Sequence, residues 1–233
     1  MQQLVCRLDS LHECAEHIWH IRLLPEHDVT FRPGQYLQVV MGEQDKRPFS
    51  IANAPSRPGL ELQIGAAPGN PYPGQVLERL RADGQLTVEL PLGNAWLREE
   101  STRPILLIAG GTGYSYARSL LQALIDNGNS RPVWLYWGVR HENQLYEGQE
   151  VQAWCDDVDF LNYVPVVQSP QESWQGRTGL VHEAVLQDFA SLDQYDIYVA
   201  GRFEMAAVVR ESLRLRGVSD QQLFGDAFQY LKG

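Results

Sequence analysis

Cysteine, positive charge and long apolar runs are all in short supply in this sequence, and each shortage excludes something. The three cysteines (Cys6, Cys14, Cys155) among 233 residues are too few and too scattered for a disulfide scaffold, a zinc ribbon or an iron–sulfur cluster. They are expected to be reduced, in a cytoplasmic setting. Nineteen Lys+Arg face 29 Asp+Glu, for a net charge of −10. That balance argues against nucleic-acid or anionic-membrane partners, because phosphate backbones need a basic footprint. The longest apolar stretches, such as 105–109, fall far short of the roughly 18 residues that span a bilayer. The N-terminus reaches Asp9 before any apolar run, so no secretory signal is expected. No repeat or low-complexity tract is visible, and no exposed apolar repeat asks for an obligate assembly, so a monomer is expected.

What is present is a globular composition, 44% hydrophobic and 21% charged. It suffices for one large domain or two of about 100–130 residues each. The chain has two halves of different pattern. Short alternating runs at 3–8, 18–24, 36–41, 60–64 and 86–90, separated by turn clusters such as Arg32-Pro33-Gly34 and Arg57-Pro58-Gly59, predict a small antiparallel barrel or sandwich. One short helix is expected near 74–81. The polar stretch 97–103, followed by Pro104, reads as a domain boundary. Beyond it, apolar runs at 105–109, 133–137, 161–167, 197–200 and 223–228 alternate with helical patterns near 116–125, 145–154, 181–188 and 204–214. Five buried strands alternating with helices specify a doubly wound parallel sheet.

Within that half, Ala109-Gly110-Gly111-Thr112-Gly113-Tyr114-Ser115 follows a buried run and opens a helix. Glycines let a backbone approach a ligand closely, and N–H groups at a helix start attract an anion such as a pyrophosphate. It is not the full G-x-G-x-x-G fingerprint, since Tyr116 occupies the third glycine position, and a tight turn with Ser115 as N-cap is the plainer alternative. Gly113-Tyr114-Ser115-Tyr116-Ala117 also approximates a serine-hydrolase elbow. The histidines after it, His141 and His182, lie near no final strand end, and no oxyanion segment precedes it.

In the first half, Lys46-Arg47-Pro48-Phe49-Ser50-Ile51-Ala52 sets an arginine, a proline, an aromatic and a hydroxyl on consecutive positions, useful to a planar anionic ligand. The same residues read equally as a strand start, with Phe49 and Ile51 facing the core and Arg47 solvated. His12, His17 and His20 with Glu13 and Glu16 invite a metal reading, but they straddle a strand, turn and strand, so no metal is expected. Trp134, Trp137, Trp154 and Trp174 read as packing residues. Asp226 and Phe228 lie at the end of the last run, near a ligand or in the core.

At this point the motifs resemble a family. Arg47-Pro48-Phe49-Ser50 is similar to the R-x-[YF]-[ST] flavin motif of the ferredoxin–NADP reductase superfamily, and Phe31-Arg32-Pro33-Gly34-Gln35-Tyr36 resembles the F-x-x-G-Q-[YF] strand of the same barrel. Gly110-Gly111-Thr112-Gly113 resembles its nicotinamide-nucleotide turn, and Ala200-Gly201-Arg202 sits where that superfamily has C-G-[PS]. The order and spacing extend the resemblance over essentially the whole chain. Within the superfamily the sequence is most similar to bacterial NAD(P)H–flavin reductases of the Fre/LuxG type, through 45–50, 109–119, 200–206 and 223–228.

The resemblance implies an N-terminal antiparallel flavin-binding β-barrel at 1–98 and a C-terminal doubly wound NAD(P)-binding α/β domain at 104–233. It implies flavin contacts at Arg47, Pro48, Phe49, Ser50, Gln63, Ile64, Gly65 and Ala66. It places NADH or NADPH at Gly111, Thr112, Gly113, Tyr114, Ser115, Arg140, Gly201 and Arg202. The implied reaction is hydride transfer from the nicotinamide to a flavin (riboflavin, FMN or FAD) at the interface between the domains, with Ser50 hydrogen-bonded to flavin N5. Two departures matter. The superfamily's G-x-x-[ST] segment for the FAD diphosphate is replaced by Gly65-Ala66-Ala67-Pro68-Gly69-Asn70-Pro71-Tyr72-Pro73-Gly74-Gln75, which lacks the hydroxyl and loses N–H donors to proline. Flavin is therefore expected as a dissociable substrate rather than a prosthetic group. The cysteine beside the nicotinamide is replaced by Ala200. Expected consumers of reduced flavin are a flavin-dependent monooxygenase or luciferase, or ferric iron complexes. A reductase component passing electrons to a partner protein, and a non-catalytic redox-nucleotide sensor, are the alternatives. Arg140 and Glu142 together leave NADH against NADPH open, since arginine suits a 2′-phosphate and a carboxylate a ribose hydroxyl.

Overall fold

The computed structural model describes residues 1–231 and divides into two compact units. The first comprises Met1–Leu97 together with Arg118–Asp126; the second comprises Arg98–Ala117 and the chain from Asn127 onward.

The first unit is a six-stranded antiparallel sheet built from β1 (Gln2–Ala15), β2 (Ile18–Pro25), β3 (Tyr36–Val40), β4 (Lys46–Ser50), β5 (Leu60–Gly65) and β6 (Gln85–Leu92), in the order β4-β3-β6-β1-β2-β5. Its two edges meet just past β4, where the Ala52 N–H donates to the Glu61 carbonyl at 2.7 Å. This closes the sheet into a barrel and leaves no open edge there. Inward-facing Ile21, Leu23, Leu37, Val39, Leu62 and Val88 fill the interior.

The strand β1 runs well past the expected 3–8. Its outer half, with Asp9, Ser10, His12 and Glu13, carries no apolar alternation and is held by pairing to β2 across two register shifts. Between β5 and β6 lies α1 (Pro71–Asp83), which buries Pro73, Val76, Leu77 and Leu80, one stripe at helical spacing. It begins earlier than the expected 74, because prolines are tolerated in the first turn, where the missing N–H would have no helical partner.

The second unit is a parallel sheet of β7 (Ile105–Gly110), β8 (Val133–Val139), β9 (Leu161–Val167), β10 (Arg177–Thr178), β11 (Asp196–Ala200) and β12 (Leu223–Phe224), ordered β10-β9-β8-β7-β11-β12. The helices are α2 (Tyr114–Asp126), whose part from Arg118 on groups with the first unit, α3 (Gly148–Asp157), α4 (Val181–Asp188) and α5 (Phe203–Arg214). Strand β7 is central and buried on both faces, as its unbroken apolar run requires. Order reverses between β7 and β11, the switch point at whose carboxyl ends doubly wound sheets bind ligands.

Two expectations are corrected. The last run forms strand only at Leu223–Phe224 and then turns into a 3₁₀ segment, Asp226–Tyr230. Gly225 passes so close to the Val199 carbonyl that a Cβ there would lie 2.7 Å from it. A sixth strand, β10, is only two residues long and shows no pattern of its own. No helix among the described residues is long and apolar enough to cross a membrane.

Candidate functional site

In the first unit, the register of β3 against β4 pairs Tyr36 with Ser50, Leu37 with Phe49, Gln38 with Pro48 and Val39 with Arg47. Strand alternation therefore divides the four motif residues between two faces. Arg47 and Phe49 share the inner side with buried Leu37 and Val39, while Pro48 and Ser50 share the outer side with Tyr36 and Gln38.

Arg47 is not solvated: it is 6% exposed. Its Nε and Nη2 reach the two Asp45 oxygens at 2.8 and 2.6 Å, Nη2 also donates to Gln75 Oε1 at 2.7 Å, and Nη1 donates to the Tyr72 carbonyl. The guanidinium also lies over the Tyr72 ring at 4.7 Å. A buried cation demands such partners, and the bidentate pair with Arg47 holds the Asp45 carboxyl below its ordinary range. Arg47 thus ties the β3–β4 turn to the start of α1.

That helix start has few donors to offer an anion. Pro71 and Pro73 have no N–H, and the Tyr72 N–H is taken by the capping Asn70 side chain at 3.2 Å.

Past Ser50 the barrel junction is heavily cross-linked. The fully buried Asn53 donates to the carbonyls of Ala54, Arg57 and Gly59 and accepts from Glu61 N at 2.8 Å. Glu61 accepts from Arg118 at 2.8 Å and is bonded to His20 Nε2 at 3.2 Å. Burial by itself would raise the Glu61 carboxyl, but the His20 hydrogen bond and the Arg118 charge outweigh it and hold the group at about 2.

The unfolded-state value of a glutamate is about 4.3. A folded value below the unfolded one means that this pairing stabilises the native state above roughly pH 4.5, and that the contribution is lost as pH falls towards 2. The difference amounts to about 3 kcal/mol. Urea unfolding between pH 5 and pH 2 should show this loss, and Glu61→Gln should flatten it. An equally steep loss in E61Q would place the acid lability elsewhere.

Of the other residues that the resemblance implies as flavin contacts, Ile64 belongs to the core and Gln63 is buried on β5. Gly65 ends β5, and the Ala66 N–H is bonded to the His17 carbonyl at 2.7 Å. Ser50 and Gln63 flank the Ala52–Glu61 bond, each two residues away along its strand. His12 and His20 meet edge to face at 5.1 Å. No group of three His, Cys, Asp or Glu among the described residues is arranged to hold a metal.

In the second unit, β7 ends in the 3₁₀ turn Gly111–Gly113, from which α2 starts. Gly111 has φ +54°, a conformation that favours glycine, and nothing lies within 4 Å of where its Cβ would be. The turn has open space beside it. Gly113 is the opposite case. A Cβ there would collide with the Ala200 carbonyl and stand 2.7 Å from the Gly201 nitrogen, so the turn packs directly on the end of β11. Met205 fills the space beside Gly110 and Gly201.

Trp137, expected only to pack, also pins the turn: its Nε1 donates to the Gly111 carbonyl at 2.9 Å, and its ring stacks on Tyr114 at 3.9 Å. The Ser115 hydroxyl donates to the Thr112 carbonyl at 2.9 Å and is buried. That is a turn staple rather than an exposed nucleophile, and the elbow resemblance ends there. The Tyr114 N–H is likewise turned back into the turn, donating to the Gly111 and Thr112 carbonyls.

Arg140 and Arg202 are exposed at the carboxyl ends of β8 and β11. The Glu142 carboxylate accepts from Gln171 N at 2.8 Å. Burial first, and then the Asp226 charge, push the Tyr116 hydroxyl well above its ordinary value. Phe228 packs against the second unit's core. A cavity of about 580 Å³ lined by Trp134, Tyr136, Cys155, Tyr163 and Phe189 opens at the amino ends of β8 and β9, the end of a parallel sheet opposite to its ligand sites.

Tyr36 and Arg118 were not singled out individually in the sequence. The register that sets Tyr36 beside Ser50, and the fold that sets Arg118 beside Glu61, have no local signature.

Residues 107–211 match the oxidoreductase NAD-binding domain family. An NAD(P)H-flavin reductase of Vibrio harveyi is 46% identical over 97% of this chain and 98% of its own, and one of Aliivibrio fischeri is 47% identical with the same coverage. Among solved structures, the ferredoxin reductase in carbazole 1,9a-dioxygenase superimposes with a TM-score of 0.83 at 27% identity, over 97% of this chain and 69% of that one. At this near-full-length similarity to named NAD(P)H-flavin reductases, the chain belongs to the NAD(P)H–flavin reductase family.

Proposed function

We propose that this chain transfers hydride from NADH or NADPH to a dissociable flavin and releases the reduced flavin. The observation that carries this is the glycine turn at the carboxyl end of β7, with open space beside Gly111, in a chain whose near-full-length relatives are flavin reductases. NAD(P)H supplies the hydride and a flavin accepts it at N5.

The residues of this chain bind and orient. Gly111, Thr112 and Gly113, with the start of α2 at Tyr114 and Ser115, receive the nucleotide phosphates. Gly201 and Arg202 follow β11, and Arg140 serves the adenine side. Ser50 donates or accepts at flavin N5, while Pro48, Gln63, Gly65 and Ala66 flank it. Phe49 and Ile64 hold these strands from the core side, and Arg47 acts through Asp45 and the start of α1. Orientation of two reactants can lower a barrier by roughly 7–11 kcal/mol, so no thiol is needed at Ala200.

The donor-poor start of α1 supports flavin as a substrate: Pro71, Pro73 and the Asn70-capped Tyr72 leave little to hold a diphosphate. The same feature weighs against a reductase component, which has to retain its flavin. The reduced flavin would serve a monooxygenase, a luciferase or ferric complexes in the cytoplasm, with the chain acting as a monomer.

The purified protein should be colourless, and should oxidise NADH or NADPH only when riboflavin, FMN or FAD is added. Tightly retained flavin would favour the electron-transfer component. No oxidation with any flavin would sink the proposal in favour of a sensor.

A further inference from the structure

Four side chains on α2 bind the segment that follows the Ser50 strand. Arg118 Nη1 donates to the Ala52 carbonyl at 3.1 Å and to Glu61 Oε2 at 2.8 Å. The Ser119 hydroxyl donates to the Asn53 carbonyl at 2.8 Å, Gln122 Oε1 accepts from Ala54 N at 3.0 Å, and Asp126 takes Ser56 at 2.5 Å and Arg57 at 2.6 Å. Positions 118, 119, 122 and 126 share a helical face, and their partners run in order along 52–57. All of them lie within the first unit.

Arg118, buried like Ser119 and Gln122, differs from the other three in what it joins. One nitrogen bridges β4's continuation and β5 at the very residues, Ala52 and Glu61, whose backbone bond closes the barrel. Ser50 and Gln63 each lie two residues from that point.

We propose that Arg118 is a positioning residue for flavin reduction: by bridging the Ala52 carbonyl and Glu61, it fixes the strand junction that sets the Ser50 hydroxyl. It touches neither reactant. This rests on the assignment of Ser50 to the flavin. Misplacement of a reacting group by about 1 Å costs on the order of 100-fold in rate.

The test compares Arg118→Met with Asp126→Asn, which loosens the far end of the same stitching. R118M should lower kcat for riboflavin reduction at least about ten-fold and leave the KM for NADH unchanged. D126N should keep wild-type kcat even where its thermal midpoint falls as far. R118K, which retains the charge and a donor, should recover part of the loss. A folded R118M with wild-type kcat overturns the proposal, as does a kcat loss in D126N equal to that in R118M at matched stability. If R118M does not fold, R118K decides: a several-fold lower kcat with unchanged KM for NADH supports positioning, and wild-type kcat overturns it. S50A measured alongside separates the two failures. A normal S50A removes the flavin assignment itself, while an impaired S50A beside a normal R118M removes only the role of Arg118.

Discussion

Replacing Ser50 by alanine is expected to lower turnover about 100-fold, the scale on which loss of one well-placed hydrogen-bonding group acts at a reacting centre. The fold should be nearly untouched. Ser50 ends β4 on the outer side of the barrel beside Tyr36, and the core on the opposite side is filled by Leu37, Val39 and Phe49. Removing one hydroxyl from a half-buried outer position leaves those contacts in place, so the change in unfolding free energy should stay within about 0.5 kcal/mol. Steady-state kinetics with NADH and riboflavin, paired with urea unfolding, measure both quantities. Unchanged turnover in a normally folded S50A would remove Ser50 from the chemistry.

Gly113→Ala is expected to be the most damaging single methyl in the second unit. The added Cβ meets the Ala200 carbonyl and the Gly201 nitrogen. Both are backbone atoms of β11 and its exit, so neither can rotate away. Relief requires the turn and the end of β11 to separate, at a cost of about 1–3 kcal/mol, and the nucleotide should bind at least about ten-fold more weakly, equivalent to about 1.4 kcal/mol.

Gly111→Ala provides the contrast. Nothing lies near its Cβ, so only the left-handed φ of +54° is penalised, at about 1–2 kcal/mol. Its methyl would project into the open space beside the turn. The KM for NADH should therefore rise in G111A with a smaller loss of stability. A normal KM in G111A would show that the nucleotide does not approach the turn there.

Much of this was visible in local pattern. The buried runs that became β7, β8, β9 and β11 are legible because a strand covered on both faces must be apolar throughout. The glycines at 110–113 announce a turn because other residues would clash or strain there. What local pattern missed has a common cause. Arg47 looks like a free cation in the sequence, since nothing nearby says that Tyr72 and Gln75 will return to it from α1. The outer half of β1 has no alternation, because β2 alone holds it. The 118–126 segment reads as an ordinary continuation of α2, yet it groups with the barrel; its polar residues find partners some 60–70 positions away.

By itself, then, the sequence determined the two halves, the order of strands and helices, the glycine turn that opens α2 and the family, because periodicity, glycine placement and motif spacing are local properties. The tertiary structure alone decided which face each motif residue occupies, that Arg47 is buried and paired, and that Arg118 bridges the closure of the barrel. Those depend on strand register and on contacts between segments distant along the chain, which are fixed only when the whole core packs.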